Sequence, residues 1–556
     1  MQKLYTAAGE ELTGIPWNDY PRPQLQRRDW LCLNGRWELI CDGVTCDILV
    51  PFCPESLLSG VGSPPAVGKT MIYRRTFIVP ARWSGRHVIL HFGAVMRKAE
   101  VFINGTAATR HDNGYLSFSV DITKMLYPGE NELIVRVCND LDPRYPWGKQ
   151  KLKRGGMWYT PVSGIWQTVW LEPVPERYIR RITVKTKGNT AFLTAEGIEN
   201  GTVFFAGREI PLRQGRAAIT VDDPTYWTPE TPQLYRFTIV SGADRAESYF
   251  ALRELSIARD GKGIPRLCLN GRPYFFHGLL DQGYWSDGLY TPASPELFAE
   301  DILAMKARGF NTLRKHIKIE PERFYYDCDR LGMAVFQDMV NAGEYRFWED
   351  TALPTAGFLR RDDRNRHPDP TQRRHFLEAM EQTAAQLGNH PSIVYWTIFN
   401  EGWGQFRADE AYDKLKSLDD TRFIDATSGW FAQTKSDVES LHIYFKPLRL
   451  GRNRARAQVL SEYGGYVWKL PAHSYNREKT YGYRKYGDRE RYERALRGLF
   501  EKLVALAGQG LCAAIYTQLS DVEDETNGLV TFDRRVQKIS PEDYRALADR
   551  LQKAMG

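Results

Sequence analysis

The sequence predicts two β-sandwiches followed by a (β/α)₈ barrel, the first sandwich of jelly-roll type and the second immunoglobulin-like. Three observations carry this. The first third of the chain contains short runs such as His87–Phe92, Ala99–Ile103 and Asn131–Val137, which alternate or nearly alternate and are separated by turn signals. That is the period of half-buried strands. After about residue 257, strand-like runs alternate with helical stretches, the order that builds a parallel sheet. Finally, Ile393-Val394-Tyr395-Trp396-Thr397-Ile398-Phe399 is uncharged, mostly apolar, and runs straight into Asn400-Glu401. A run apolar on both faces suits a strand buried on both sides, and the C-terminal tips of barrel strands are where such barrels keep their chemistry.

Each part has its own signals. Residues 1–175 read as the first sandwich, with Asn104-Gly105 marking a tight turn and Pro173 and Pro175 punctuating its end. Residues 176–256 read as the second, with Ile182–Lys185, Ala191–Thr194 and Tyr235–Val240 as its clearest strands. Residues 257–556 supply eight strand candidates: Phe275–Leu280, Asn311–Arg314, Ala334–Asp338, Ile393–Phe399, Arg422–Thr427, Ser440–Tyr444, Val459–Glu462 and Cys512–Thr517. The first intervening helix is expected near Glu296, with Ser294 as its N-cap and Pro295 in its first turn. On this count Glu401 and Glu462 end strands four and seven.

Composition narrows the function. A chain of 556 residues, 42% hydrophobic and 26% charged, is ordinary for a globular protein of about three or four domains. The net charge of +7 is small for this size, and basic runs such as Arg452-Asn453-Arg454-Ala455-Arg456 read as solvated loops, so no nucleic-acid partner is expected. Eight scattered cysteines form no CxxC pair, which disfavours a zinc or redox motif. No apolar stretch of about twenty residues and no apolar leader follow Met1, so the expectation is a cytoplasmic protein with no membrane partner. Homo-oligomerisation stays open.

A carboxylate at the tip of a buried strand is costly to bury and so has a partner or a task. Two of them on one barrel rim suit hydrolysis of a glycosidic bond, which needs a proton for the leaving oxygen and negative charge beside the forming oxocarbenium. A separation of about 5–5.5 Å lets the second carboxylate attack the anomeric carbon and retain configuration, and a wider one admits a water and inverts it. An ionised Glu462 would keep Glu401 protonated as the acid, and esterification of Glu462 would then free Glu401 to act as base. Asn400 is placed to hydrogen-bond a sugar 2-hydroxyl. The plainer reading of Glu401 is a buried ion pair.

Sandwich, immunoglobulin-like unit and barrel in this order, with Asn400-Glu401, Ser461-Glu462-Tyr463, Gly164-Ile165-Trp166, Leu269-Asn270-Gly271-Arg272-Pro273 and Gly309–Arg314, resemble glycoside hydrolase family 2 over essentially the whole chain. That family includes β-galactosidases, β-glucuronidases and β-mannosidases. The resemblance implies that Glu401 is the acid/base and Glu462 the nucleophile, that Tyr444 hydrogen-bonds the nucleophile, and that Arg314 steadies the same carboxylate. There are departures. Leu280-Asp281-Gln282-Gly283 stands where the family often has His-Glu, His316 lies two residues after Arg314 instead of three, and Tyr516-Thr517-Gln518 stands where many relatives have a tryptophan. The glucuronidase branch holds its sugar carboxylate with Asn-x-Lys, whereas Glu523–Leu529 here is acidic, which argues against uronic acids. The metal-ligand pattern of the large β-galactosidases is not recognisable, so no metal and no cofactor is expected.

Further candidates for sugar contact are His316 and His442, Trp403 and Trp430 for ring stacking, and Asp281, Trp285, Asp521 and Glu525 on rim loops. Against each stands an ordinary role as core histidine, core tryptophan or solvated loop residue. The two sandwiches have a plain role too, that of buttressing the barrel and walling its mouth. The expected activity is that of a retaining exo-β-glycosidase acting on a terminal galactose-type sugar, pyranose or furanose. A glucuronidase, mannosidase or arabinosidase is the alternative within the family. A non-catalytic carbohydrate-binding protein on a hydrolase scaffold is the alternative of another class.

Overall fold

The computed structural model describes residues 2–64 and 66–555. The N-terminal part holds two main antiparallel sheets. One runs in the order Val44–Val50, Gly35–Cys41, Thr70–Ile78, Glu130–Cys138, Lys98–Ile103, Thr106–Asp112. The other pairs Leu31–Cys32, Val169–Val174, His87–Phe92 and Phe118–Asp121. Trp37, Tyr73, Leu90, Val101, Leu133 and Val135 from these strands share one core and are at most 2% exposed. Burying each side chain of this kind contributes about 1.5–3 kcal/mol. The Asn104-Gly105 turn has φ of 49° and 78°, the left-handed pair that a two-residue hairpin requires.

The next unit is a seven-stranded antiparallel sheet from Arg181–Lys187 to Asp244–Phe250, with its own core of Ile182, Leu193, Val203, Ile219 and Ile239. A buried charge cluster ties the two sandwich units together. Arg27 donates to Glu172 at 3.0 Å and to Asp244 at 2.9 Å, and Arg22 reaches Glu172 at 2.8 Å.

The last part is the barrel. Its strands are β1 (Phe276–Asp281), β2 (Thr312–Lys315), β3 (Ala334–Asp338), β4 (Ile393–Asn400), β5 (Phe423–Ser428), β6 (Val438–Ile443), β7 (Ala457–Gly464) and β8 (Leu511–Thr517). Hydrogen-bonded neighbours are parallel in the order β5-β4-β3-β2-β1-β8-β7-β6, and β5 and β6 pack together to close the ring. Every residue of β4 is buried, as its apolar run requires.

Two local details differ from expectation. The first barrel helix spans Glu296–Ala307 with no side-chain cap, and it is the Ser294 carbonyl that accepts, from Leu297 N–H. Pro295 already has helical dihedrals, which moves Ser294 out of the capping position. Glu462 lies inside β7 and not at its end, because Tyr463 and Gly464 continue pairing with β8.

Candidate active site

Strand β4 ends in a sharp turn. Glu401 has φ +53°, followed by Gly402 and Gly404 at +69° each. A non-glycine residue in this region costs on the order of 1–3 kcal/mol, a cost that clusters at functional sites. The turn is held from outside. Trp430 Nε1 donates to the Glu401 carbonyl at 2.9 Å, and Arg361 donates to the Gly402 carbonyl at 2.8 Å.

Glu401 and Glu462 meet over His442. The His442 Nδ1 lies 2.7 Å from Glu401 Oε1 and 3.5 Å from Glu462 Oε2, and ligand atoms of the three residues all lie within 4.8 Å of one another. These three could also hold a cation, but the short His442–Glu401 contact is itself a hydrogen bond. The Glu401 side chain is 17% exposed and that of Glu462 6%, so the first faces the opening and the second lies deeper. Gly429 leaves room for the imidazole, since a Cβ there would sit 2.8 Å from the ring. His442 Nε2 is 2.9 Å from Ser428 Oγ.

Glu462 is held on both oxygens. Arg314 Nη1 donates to Oε1 at 3.2 Å, and the Tyr444 hydroxyl donates to Oε2. Arg314 also donates to Asp338 at 2.9 Å and to Asn400 Oδ1 at 2.8 Å, so one guanidinium fixes strands β2, β3, β4 and β7 relative to each other. Burial pushes the Glu462 carboxyl up, but His442, Arg314 and Lys149, joined by His316 at the low pH where it is protonated, outweigh it and bring it down to about 2. His316 Nδ1 is 2.7 Å from Asp338 Oδ2, and its Nε2 is buried with no partner. Burial lowers its pKa to about 4, leaving it neutral near pH 7. Tyr444 stacks on Tyr483 with centroids 3.9 Å apart.

Other candidates divide. Glu525 is buried, accepts from the Tyr159 hydroxyl and from Asn527 at 3.0 Å, and feels the charge of Glu462. Trp430 stands edge-on to His442 at 5.5 Å. Four candidates are placed differently from expectation. Trp403 is 3% exposed, packs edge-on against Trp147 and Trp158, and spends its N–H on the Gly343 carbonyl, so its faces are not open for stacking. Trp285 is 2% exposed, against Phe298 and the Arg534 guanidinium. Asp281 is committed to Lys315 at 2.6 Å, and Asp521 to Lys538 at 2.7 Å. Ion pairing, not solvent, accounts for these two rim acids.

Sequence reasoning missed Tyr483, Ser428 and Lys149. Ser428 ends β5, one residue past the strand candidate Arg422–Thr427, whose apolar run is broken by Asp425, and Tyr483 and Lys149 lie in loops with no local pattern to mark them. A separate cleft of about 430 Å³ between the immunoglobulin-like unit and the loops preceding β4 and β5 is lined by Arg181, Arg253 and Arg422 and contains none of the site residues.

Comparison with known proteins gives a consistent picture. Residues 264–450 match the family model described as "Glycosyl hydrolases family 2, TIM barrel domain", and residues 56–175 match "Glycosyl hydrolases family 2, sugar binding domain". A β-galactosidase of Aeromonas hydrophila is 29% identical over 415 residues, 67% of this chain and 37% of that protein. The chain thus spans little more than a third of the length of several curated relatives it matches. Among solved structures, a β-D-glucuronidase of Dictyoglomus thermophilum superposes with a TM-score of 0.75 at 17% identity, covering 96% of this chain and 98% of that one. A family 2 β-galacturonidase of Eisenbergiella tayi, bound to galacturonate, gives 0.69 at 19% identity, covering 97% and 99%.

Proposed function

This chain belongs to glycoside hydrolase family 2, and from that premise we propose that it is a retaining exo-β-glycosidase that removes a terminal sugar by double displacement. The observation that carries this is the meeting of Glu401 and Glu462, one carboxylate oxygen of each lying within 4.8 Å of the other. This favours the short spacing of retention, about 5–5.5 Å between carboxyl groups, over the wider one of inversion.

In the first step the ionised Glu462 attacks the anomeric carbon. Glu401 gives its proton to the glycosidic oxygen, the C–O bond breaks, and a glycosyl ester forms on Glu462. In the second, Glu401 takes a proton from water, the water attacks the same carbon, and the ester bond breaks to restore Glu462. Arg314 and Tyr444 support this by fixing the orientation of the nucleophile before attack. Asn400, held by Arg314, keeps an amide nitrogen to donate to a sugar hydroxyl.

The sugar is of galactose type. The likeness to a β-galactosidase and the acidic stretch around Glu523 and Glu525 support a neutral sugar over a uronic acid. A uronide is the second reading, favoured by the printed names of the solved neighbours. The test is a panel of aryl glycosides: galactosides, galactofuranosides, glucuronides, mannosides and arabinosides. Glu462→Ala is expected to lose about 10⁴-fold or more in kcat on the preferred member. Glu401→Ala is expected to lose 10²- to 10⁴-fold on poor leaving groups and far less on activated aryl groups. Equal losses for both leaving groups would reverse this assignment, and glycan binding without turnover of any member would replace it with a binding scaffold.

A further inference from the structure

The first sandwich sends the segment from Asn139 to Val162 into the mouth of the barrel. Trp147 Nε1 donates to the Gly343 carbonyl beyond β3 at 3.1 Å. A Cβ on Gly148 would stand 3.4 Å from the carbonyl of Ile317, the residue after His316. Arg154 pairs with Glu523 at 3.1 Å beyond β8. Within the segment, Tyr159 N–H donates to the Lys149 carbonyl at 3.0 Å, and Lys151 N–H donates to the Tyr159 carbonyl at 3.1 Å. Lys149 therefore lies alongside Tyr159, whose hydroxyl donates to Glu525.

Lys149 differs from its neighbours in what its charge does. Lys151 is spent on the faces of Trp158 and Tyr345, at 3.8 and 4.8 Å from the ring centroids. Among the described residues, the Lys149 ammonium makes no ion pair and no hydrogen bond. What places it at the site is its backbone, bonded to Tyr159, whose hydroxyl reaches Glu525, and its positive charge is felt by Glu462, Glu525 and His316. Each Glu525 oxygen already accepts one hydrogen bond, from Tyr159 or from Asn527, and a carboxylate oxygen has room for a second. A donor-only ammonium thus comes from the segment whose Tyr159 already touches the Glu525 carboxylate, and the two are not paired with each other.

We propose that Lys149 and Glu525 form a clamp on two adjacent hydroxyls of a neutral sugar, making Lys149 a specificity-determining residue supplied by the first sandwich. The ammonium donates to one hydroxyl oxygen, and the hydroxyl protons go to the carboxylate. A diol satisfies both partners. A sugar carboxylate would satisfy Lys149 but would stand against Glu525 with Glu462 nearby. This rests on the glycosidase reading for its location and deepens that reading by naming the substrate class.

The test uses the whole protein, with wild type, Lys149→Met, Lys149→Arg and Glu525→Gln compared on the glycoside that wild type prefers. Lys149→Met is expected to lower kcat/KM about 10- to 100-fold, the loss of one or two charged hydrogen bonds. Lys149→Arg should recover part of that. The acid limb of the pH profile should move little, because Arg314 and Tyr444 still hold Glu462. Glu525→Gln should also lower kcat/KM on the neutral sugar.

A second readout needs no turnover. Free D-galactose should raise the melting temperature of wild type and not of Lys149→Met, and D-galacturonic acid at the same concentration should raise that of wild type less. The proposal is overturned if Lys149→Met stays within twofold of wild type, if neither sugar shifts the wild type, or if galacturonic acid shifts it more and Glu525→Gln improves uronide turnover. Failure of the glycosidase reading looks different, since wild type would then turn over no aryl glycoside while the binding readout still judged the clamp.

Discussion

Glu462 is a buried carboxylate kept charged by its surroundings, and Arg314 is the cation that touches it. The folded carboxyl is depressed to about 2 from an ordinary 4.5, so the ionised carboxylate, the proposed nucleophile, is fully present above pH 4.5 and is lost as pH falls toward 2. Wild type should therefore show no acid limb in kcat/KM near pH 4–5 from this group. Arg314→Met should raise the Glu462 pKa, move an acid limb into that range, and lower kcat on the order of 100-fold, as read from a pH–rate profile. Loss of rate with an unmoved acid limb would assign Arg314 a packing role only. At this scale the sequence was uneven. Glu401 stood out because an acid after an apolar run is conspicuous. Glu462, Tyr444 and Arg314 were legible through family motifs. Lys149 and the fates of Asp281 and Asp521 were not: Asp281 meets Lys315 on β2, Asp521 meets Lys538, and Lys149 lies in a loop of the first sandwich, beside Tyr159.

At the scale of elements, the strands were easier to read than the loops between them. A strand buried on both faces is mostly apolar, so β4 and β8, and β3 through Ala334-Val335-Phe336, announced themselves within a residue or so of their observed limits. Loops obey no such period. Trp403 and Trp285, expected at the rim, are packed against side chains that arrive from distant parts of the chain, Trp147 and Trp158 on the first and the Arg534 guanidinium on the second. The joint between the two sandwich units was equally silent in the sequence. Glu172, on strand Val169–Val174, sits between Arg22 and Arg27, and Arg27 also holds Asp244. Removing one partner of a buried pair leaves the others uncompensated, at about 3–5 kcal/mol. Glu172→Gln should accordingly lower the unfolding temperature by several degrees in calorimetry at pH 7. Burial raises the Glu172 carboxyl, but Arg22, His91 and Arg27 more than offset this and hold it well below its ordinary 4.5. Its contribution is therefore present above pH 4.5 and lost as pH falls through the depressed value. The gap between wild type and Glu172→Gln should shrink on acidification, and a gap that widened below pH 4 would contradict this.

For the whole molecule, the site is composite. The barrel supplies both glutamates, and the first sandwich supplies the segment carrying Trp147, Lys149 and Tyr159 that narrows the mouth. On the proposed exo action, an oligosaccharide substrate should yield monosaccharide from the first minutes, with no internal cleavage seen by chromatography. Retention requires that the two carboxylates be close enough for direct attack. Proton NMR of the sugar first released from the preferred aryl β-glycoside, recorded before mutarotation, reads this most directly. Direct attack by Glu462 followed by water predicts the β anomer, and the α anomer appearing first would contradict it.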